Sequence, residues 1–236
     1  MPDKHDKHIS SQFDAELNTI STQVLEMGGR VESQLHQAVY AMVHMSRESA
    51  DQVLQNEARI NQFEMQIDQA IISTIGRRQP TARDLRFLMA ISRATQNLER
   101  AGDEVARMAR MVKSIVDSGS PRNLPSSELR VAADLAAGML RKTLDAFARL
   151  DTAMAVEIIK SDDQIDDEYN GFMRKLITYM MEDPRTISAS LDLIFLAKSI
   201  ERVGDHAKNI AEQIIFIVKG EDVRHSPTDK LASAVQ

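Results

Sequence analysis

The sequence predicts an all-α protein whose six long helices form two tandem three-helix bundles. Only 9 glycines and 6 prolines occur in 236 residues, far fewer turn-forming residues than an all-β chain needs. Four of the prolines, at 80, 121, 125 and 184, separate stretches of helical hydrophobic periodicity, and none has to lie inside a helix. In addition, Leu98–Asp103 recurs as Ile200–Asp205 at an offset of 102 residues, which indicates an internal repeat.

Three helices are predicted in the first half of the chain. They span residues 9–45, 48–75 and 82–116. Apolar side chains from Leu17 to Met42 follow three- and four-residue spacing along the first helix. A turn at Arg77–Thr81, which contains a proline, separates the second helix from the third.

The second half repeats this plan. Its predicted helices span residues 127–150, 152–181 and 187–218. Ser127 is the expected N-cap of the fourth helix, Asp183–Thr186 forms a turn, and Gly220 stops the sixth helix. We therefore predict one repeat over residues 1–120, and a second repeat with the C-terminal tail over residues 121–236.

The composition excludes several classes of function. Cysteine is absent, which rules out a disulfide scaffold, a thiolate zinc site and a cysteine nucleophile. Aromatic residues make up only 4% and the net charge is −6, so we expect no direct binding of nucleic acid. The sequence has neither an apolar run of about 18 residues nor the pattern of a signal peptide, and a cytoplasmic location is expected.

The third helix of each half carries the motif Glu-Arg-x-Gly-Asp. Its two acids, Glu99 and Asp103 in one half and Glu201 and Asp205 in the other, lie four residues apart and so share a helix face. Like charges at this spacing destabilise a helix by a few tenths of a kcal/mol. The glycine inside a long helix costs about 1 kcal/mol relative to alanine, so its repetition indicates close approach of another helix or of a ligand.

The second helix of each half carries a similar polar pair. The pairs are Glu57 with Asn61, and Asp162 with Asp166. Asn61 lies 19 residues before the proline of its turn and Glu99 lies 19 residues after it; in the second half the distances are 18 and 17. Residues equally far from a hairpin turn lie level with each other, so the two pairs of each half should face one another.

These pairs predict two polar clusters. The first consists of Glu57, Asn61, Glu99 and Asp103, and the second of Asp162, Asp166, Glu201 and Asp205. Clustered carboxylates suit hard cations such as magnesium, calcium, manganese or iron. The first cluster has one carboxylate fewer and is expected to bind more weakly. A solvated helix face, or ion pairs with Arg100 and Arg202, is the alternative explanation.

Catalytic motifs are missing from the sequence. None of the six histidines follows a glutamate at three-residue spacing, as in di-metal carboxylate enzymes, and no P-loop or dinucleotide-binding glycine pattern occurs. His206 is expected to be a helix-surface residue. A metal-dependent enzyme or metal-storage bundle stays open as the alternative to an interaction protein.

With its paired motifs, the chain resembles the PhoU family of bacterial phosphate-signalling and phosphate-transport accessory proteins. The resemblance covers about residues 8–225. It rests on Gln79–Arg86, Leu98–Asp103, Met180–Asp183 and Ser199–His206. The resemblance implies six helices in two similar, spectrin-repeat-like three-helix bundles, commonly assembled as a homodimer.

The resemblance also implies a regulator rather than an enzyme. Members of the family repress the phosphate-starvation response when phosphate is plentiful. They are thought to connect the phosphate ABC transporter, through its ATPase, to the PhoR sensor histidine kinase, so that contact with the membrane is only indirect. Some bind multinuclear metal clusters through (Glu/Asp)-x-x-x-Asp motifs, which match three of the four pairs above and depart from the pattern at Asn61.

Overall fold

The structure is a computed structural model that describes residues 11–119, 125 and 129–224. Its helices are α1 (Ser11–His44), α2 (Arg47–Arg78), α3 (Ala82–Asp117), α4 (Leu129–Arg149), α5 (Thr152–Glu182) and α6 (Ile187–Lys219). A short 3₁₀ turn, Pro184–Thr186, leads into α6. No strand occurs among the described residues, and the prediction of six helices is confirmed.

The predicted helix ends agree with the structure to within three residues wherever both ends are described. The turn before α3 is shorter than expected, because Arg77 and Arg78 continue α2 and the left-handed residue is Gln79, with φ 46°. The start of the first helix at residue 9, the Ser127 cap and the boundary between residues 120 and 121 lie outside the described residues. The division into two domains at that boundary stays a prediction.

The first two helices of each half are joined by the same backbone turn. Met45 (φ 47°) and Leu150 (φ 50°) end α1 and α4 in the left-handed conformation. The next residue in each half, Ser46 or Asp151, caps the following helix by accepting a hydrogen bond from the backbone N–H three residues on, at 3.2 Å and 3.0 Å. The two halves thus use the same type of turn between helices, although the residues of the turn differ.

Each half is a three-helix bundle. The helices α1, α2 and α3 pack against one another, and so do α4, α5 and α6. The halves dock side by side, with α1 touching α4 and with α3 lying along α6 in the most extensive helix contact of the described chain. The core is therefore continuous across both halves.

The α3–α6 contact is antiparallel and nearly symmetric. Ser199 Oγ donates to Glu104 Oε2 at 2.8 Å, and seven residues earlier on α3 the Oδ1 of Asn97 lies 3.1 Å from Nδ1 of His206. The repeat offset of 102 residues converts Glu104 into His206 and Asn97 into Ser199. The two polar contacts are therefore counterparts, related by a pseudo-twofold axis between the helices.

This symmetry breaks at the two arginines of the repeated motif. Arg202 donates to Glu104 at 3.0 Å across the α3–α6 contact. The residue opposite Arg202 is the carboxylate Glu104, whereas the equivalent residue opposite its counterpart Arg100 is His206. Arg100 makes no hydrogen bond or ion pair within the described part of the chain.

Close packing explains the repeated glycine. A Cβ atom on Gly102 would lie 3.0 Å from Cδ1 of Ile60, and one on Gly204 would lie 2.7 Å from Cδ1 of Ile165. Those two isoleucines are themselves counterparts in the second helix of each half. The expected close approach of another helix is confirmed.

Replacing Gly204 by valine should destabilise the protein by about 1–3 kcal/mol, because the new side chain overpacks the contact with Ile165. The matched control is Gly138→Val on α4, where nothing lies within 4 Å of a Cβ position; it should change the free energy of unfolding by less than about 0.5 kcal/mol. Urea denaturation of both variants measures the difference. Equal losses would contradict the packing explanation.

A second prediction follows from the different surroundings of Arg202 and Arg100. Arg202→Ala should cost about 1–3 kcal/mol, since the buried Glu104 loses a charged donor. Arg100→Ala should stay within about 0.5 kcal/mol of the parent protein, because no carboxylate among residues 11–119 and 129–224 forms an ion pair with Arg100. Denaturant unfolding of the two variants tests this, and a larger loss for Arg100→Ala would overturn it.

Candidate functional site

The four acids of the second predicted cluster lie together between α5 and α6. Asp162 and Asp166 come from α5, and Glu201 and Asp205 come from α6. Burial, together with the charges of the other three acids, raises the pKa of Asp205 to about 6. Burial, together with Asp162 and Glu201, also raises the pKa of Asp166. Facing hairpin positions therefore do bring these carboxylates within electrostatic reach.

Two lysines, and not Arg202, offset part of this negative charge. Lys208 Nζ donates to Asp162 at 2.6 Å, and Lys198 Nζ donates to Glu201 at 2.5 Å. The alternative explanation, in which Arg202 neutralises these acids, does not match the structure, because its guanidinium binds a carboxylate on α3. Two ammonium groups against four carboxylates leave a deficit of positive charge. The Oε2 atom of Glu201 is buried and has no hydrogen-bond partner in the described chain.

The first cluster lies between α2 and α3. Burial raises the pKa of Glu99 to about 7, and Asp103 and Glu64 contribute through their charges. Burial and the charge of Glu57 raise the pKa of Asp103. Glu57 itself pairs with Arg110 at 3.2 Å. In the first cluster, therefore, an arginine forms an ion pair with one of the predicted acids.

Glu64 was missed by the sequence analysis, whereas Asn61 was included. Asn61 is exposed, and Glu64 lies three residues further along α2, where it is half-buried and faces the acids of α3. The signal was available, because positions 57, 61 and 64 follow the i, i+4, i+7 spacing of one helix face. In the second half the same position is Tyr169, and Lys198 lies over its ring at 5.3 Å.

A hydrogen bond in the first half tests the assumption that residues equally far from a hairpin turn lie level with each other. Asp68 and Ser92 each lie 12 residues from Pro80. Ser92 Oγ donates to Asp68 Oδ1 at 3.4 Å. Residues equidistant from the turn are therefore level, as the counting assumed.

The clusters are charged groupings and not finished coordination shells. Across residues 11–119 and 129–224, no three acidic or histidine side chains are arranged as a set that could hold a metal ion as they stand. In the second cluster the lysines turn one oxygen of Asp162 and one of Glu201 towards themselves. A cation would have to compete with these ammonium groups.

His206 is not the helix-surface residue that the sequence suggested. It is half-buried at the α3–α6 contact, where its Nδ1 faces Asn97. Burial lowers its pKa to about 4, and Arg100 and Arg202 lower it too, while Glu104 acts in the opposite sense. The imidazole is therefore neutral at pH 7.

None of the described helices combines the length and the apolar composition that a membrane span requires.

A family model described as the PhoU domain matches the chain twice, over residues 24–112 and 129–214. A curated relative from Burkholderia sp., a phosphate-specific transport system accessory protein PhoU homolog, is 46% identical over 228 residues. That alignment covers 96% of this chain and 97% of the relative.

Two solved structures are also similar to the chain. The crystal structure of PhoU from Pseudomonas aeruginosa has a TM-score of 0.86 and 41% identity, and the match covers 89% of this chain and all of that one. The phosphate transport system regulatory protein PhoU from Streptococcus pneumoniae has a TM-score of 0.82 and 28% identity, with 90% and 99% coverage. The sequence matches and the fold agree, and the chain belongs to the PhoU family.

Proposed function

We propose that the protein is an accessory and regulatory protein of phosphate transport, which couples the ATPase of the phosphate ABC transporter to the PhoR sensor histidine kinase. In this role it represses the phosphate-starvation response when phosphate is plentiful. The observation that carries the proposal is the 46% identity to a phosphate-specific transport system accessory protein over 96% of the chain. Almost none of the chain is left outside this match.

The proposal favours an adaptor over an enzyme. Relatives are named as accessory or regulatory proteins, which supports binding of partners rather than turnover of a substrate. We place the protein in the cytoplasm as a homodimer that meets the membrane only through its partners. A metal-dependent enzyme or storage bundle has no comparable support.

Capture experiments with the purified protein test the coupling. The immobilised protein should retain the transporter ATPase and the cytoplasmic region of PhoR, whereas the ATPase of an unrelated ABC importer serves as the matched control. In cells grown on plentiful phosphate, deletion of the gene should raise expression of a phosphate-starvation reporter, and reintroduction should lower it again. Failure to retain either partner, with no change in the reporter, would contradict the proposal.

We further propose that the second cluster holds a hard cation, either a divalent metal or iron. Asp162, Asp166, Glu201 and Asp205 would be its ligands. The first cluster, with Glu57, Asn61, Glu99 and Asp103, would be the weaker site, and Glu64 adds an acid to it.

The donor chemistry of the second cluster fits such a cation. Its four carboxylates exceed its two lysines in charge, and Glu201 offers a buried oxygen without a partner. Carboxylate oxygens are what hard cations prefer. A bound cation supplies positive charge at this point, while the acids of this chain hold it and join α5 to α6.

Asp205→Asn should reveal the cation through stability. A cation present at about 100 times its dissociation constant adds roughly 2.7 kcal/mol, so the variant should melt at a lower temperature than the parent in metal-containing buffer. In chelator at pH 7 it should be neutral or more stable, because the raised pKa of Asp205 means that its ionised form is unfavourable in the folded state. Its advantage in chelator should grow as the pH rises from 3.8 to about 6 and then level off.

The matched control for this measurement is Asp163→Asn. Asp163 is the exposed neighbour of Asp162 on α5, and its replacement should leave the response to metal intact. If Asp205→Asn lowers the melting temperature equally with metal and with chelator, the cluster is a structural ion-pair network and the proposal of a metal site is wrong.

A further inference from the structure

The tips of the two helical hairpins, α2–α3 and α5–α6, expose most of the large apolar side chains on the surface. Twelve large hydrophobic side chains are exposed among the described residues, and eight of them lie at these tips. The first tip patch consists of Ile72, Leu85 and Met89, and the second tip patch consists of Ile177, Met181, Ile187, Leu191 and Phe195. Grouped apolar surface, unlike scattered apolar residues, indicates a contact site.

The side chains of the first tip patch lie next to one another. The hydrogen bond from Ser92 to Asp68 shows which residues of α2 and α3 are level. One helix turn nearer the hairpin turn, Ile72 on α2 therefore lies beside Met89 on α3, and Leu85 follows one turn further along α3. The patch thus extends across the groove between the two helices.

The second tip patch repeats the first at equivalent positions. Ile72 matches Ile177, Leu85 matches Ile187, and Met89 matches Leu191. The pseudo-twofold axis between α3 and α6 therefore relates the two patches. They lie at opposite ends of this antiparallel helix pair, and rotation about the axis keeps them on the same side of the molecule.

The first tip patch is bordered by positive charge. Residues 72–89 carry four arginines and one aspartate. Arg78 pairs with Glu16 at 2.6 Å, but Arg83 and Arg86 form no ion pair within the described part of the chain.

The second tip patch is bordered by negative charge. The stretch of chain from its first to its last residue carries three acids and one arginine. Asp183 pairs with Arg185 at 2.9 Å, which leaves Glu182 and Asp192 without an ion pair among the described residues. Arg174 lies one turn further from the hairpin turn and offsets at most one of these two charges. The two ends of the molecule are therefore opposite in charge.

We propose that the tip patches form the interface between two copies of this chain, packed antiparallel, with the first tip patch of each copy on the second tip patch of the other. In a twofold dimer a contact between two different patches occurs twice. This arrangement covers all four patches and brings arginines to acids at both ends. That the protein is a homodimer rests on the proposed function, whereas the surface and the direction of packing follow from the patches.

The extent of the apolar surface favours a second copy as the occupant. A stable interface buries about 800 Å² on each partner. The side chains of the patches are 40–79% exposed, so the few in one patch provide about a few hundred Å² at most. A dimer therefore needs both patches, and a second copy necessarily carries a matching pair at the same separation.

A membrane surface fits the patches less well. Arginines beside exposed apolar side chains would suit anionic lipid at the first tip. The acids at the second tip would be repelled by the same lipid. Because both patches lie on the same side of the molecule, a flat surface would meet both.

Size-exclusion chromatography with light scattering tests the interface. At micromolar concentration the parent protein should have twice the 26.4 kDa mass of one chain. Met89→Glu places a negative charge against the acidic patch, and Leu191→Lys places a positive charge against the arginines. Each change alters both contacts of the dimer, so each should raise the dissociation constant at least about tenfold.

The matched control is Val131→Glu, which changes an exposed apolar residue of α4 outside the patches and should leave the mass unchanged. Circular dichroism checks that all variants are folded, and Leu191→Ser provides a milder change at the same position. A monomeric parent protein, or patch variants that keep the dimer mass, would overturn the interface.

Mixing Met89→Glu with Leu191→Lys tests the direction of packing. In the antiparallel arrangement a mixed dimer has one unaltered contact, and the new glutamate faces the new lysine in the other. The dimer should therefore reappear on mixing. If like patches met instead, every contact would contain one unpaired new charge, and the absence of recovery would overturn the antiparallel arrangement.

The capture experiment separates this inference from the coupling role. A monomeric parent protein that retains the ATPase or PhoR would remove the interface and leave the coupling. A dimer that depends on the patches but retains neither partner would remove the coupling alone. Patch variants that stay dimeric but lose a partner would assign the patches to that partner and overturn the proposal of a second copy.

Discussion

The antiparallel packing of α3 against α6 is the constraint on which the rest of the structure depends. Both helices must approach a neighbour closely at their glycines, and both must present their acids to the second helix of their own half. Because one face of each helix is committed to its own bundle, the opposite face is left for the other half. The buried Glu104 lies on that face and joins Ser199 to Arg202. A shift of one helix turn along this contact would separate all of these partners.

Much of this arrangement could be predicted from the sequence. The positions of the prolines and the hydrophobic periodicity located every helix, and counting from Pro80 placed Asp68 level with Ser92, as their hydrogen bond shows. The repeated motif placed the acids of each half on facing helices. These features are local, since each depends on one helix or on one hairpin.

The features that sequence reasoning missed depend on contacts between elements far apart in the chain. A repeat shows that two halves are alike but not how they dock, so the burial of His206 and the partner of Arg202 could not be foreseen. The lysines of the second cluster were missed for another reason. Lys198 and Lys208 lie outside the repeated motif, on the same helix as two of the acids that they offset. The spacing of Lys198 and Glu201, three residues apart, could have indicated their pair, whereas only the three-dimensional arrangement shows that Lys208 reaches Asp162 on α5.

Because α3 and α6 run in opposite directions, their N-terminal ends lie at opposite ends of the helix pair. The turn before α3 lies at one end of this helix pair, and the turn before α6 lies at the other. A helix of 36 residues, the length of α3, spans about 54 Å. Contacts made at the two ends of this helix pair would therefore lie about 54 Å apart and be connected through two continuous helices.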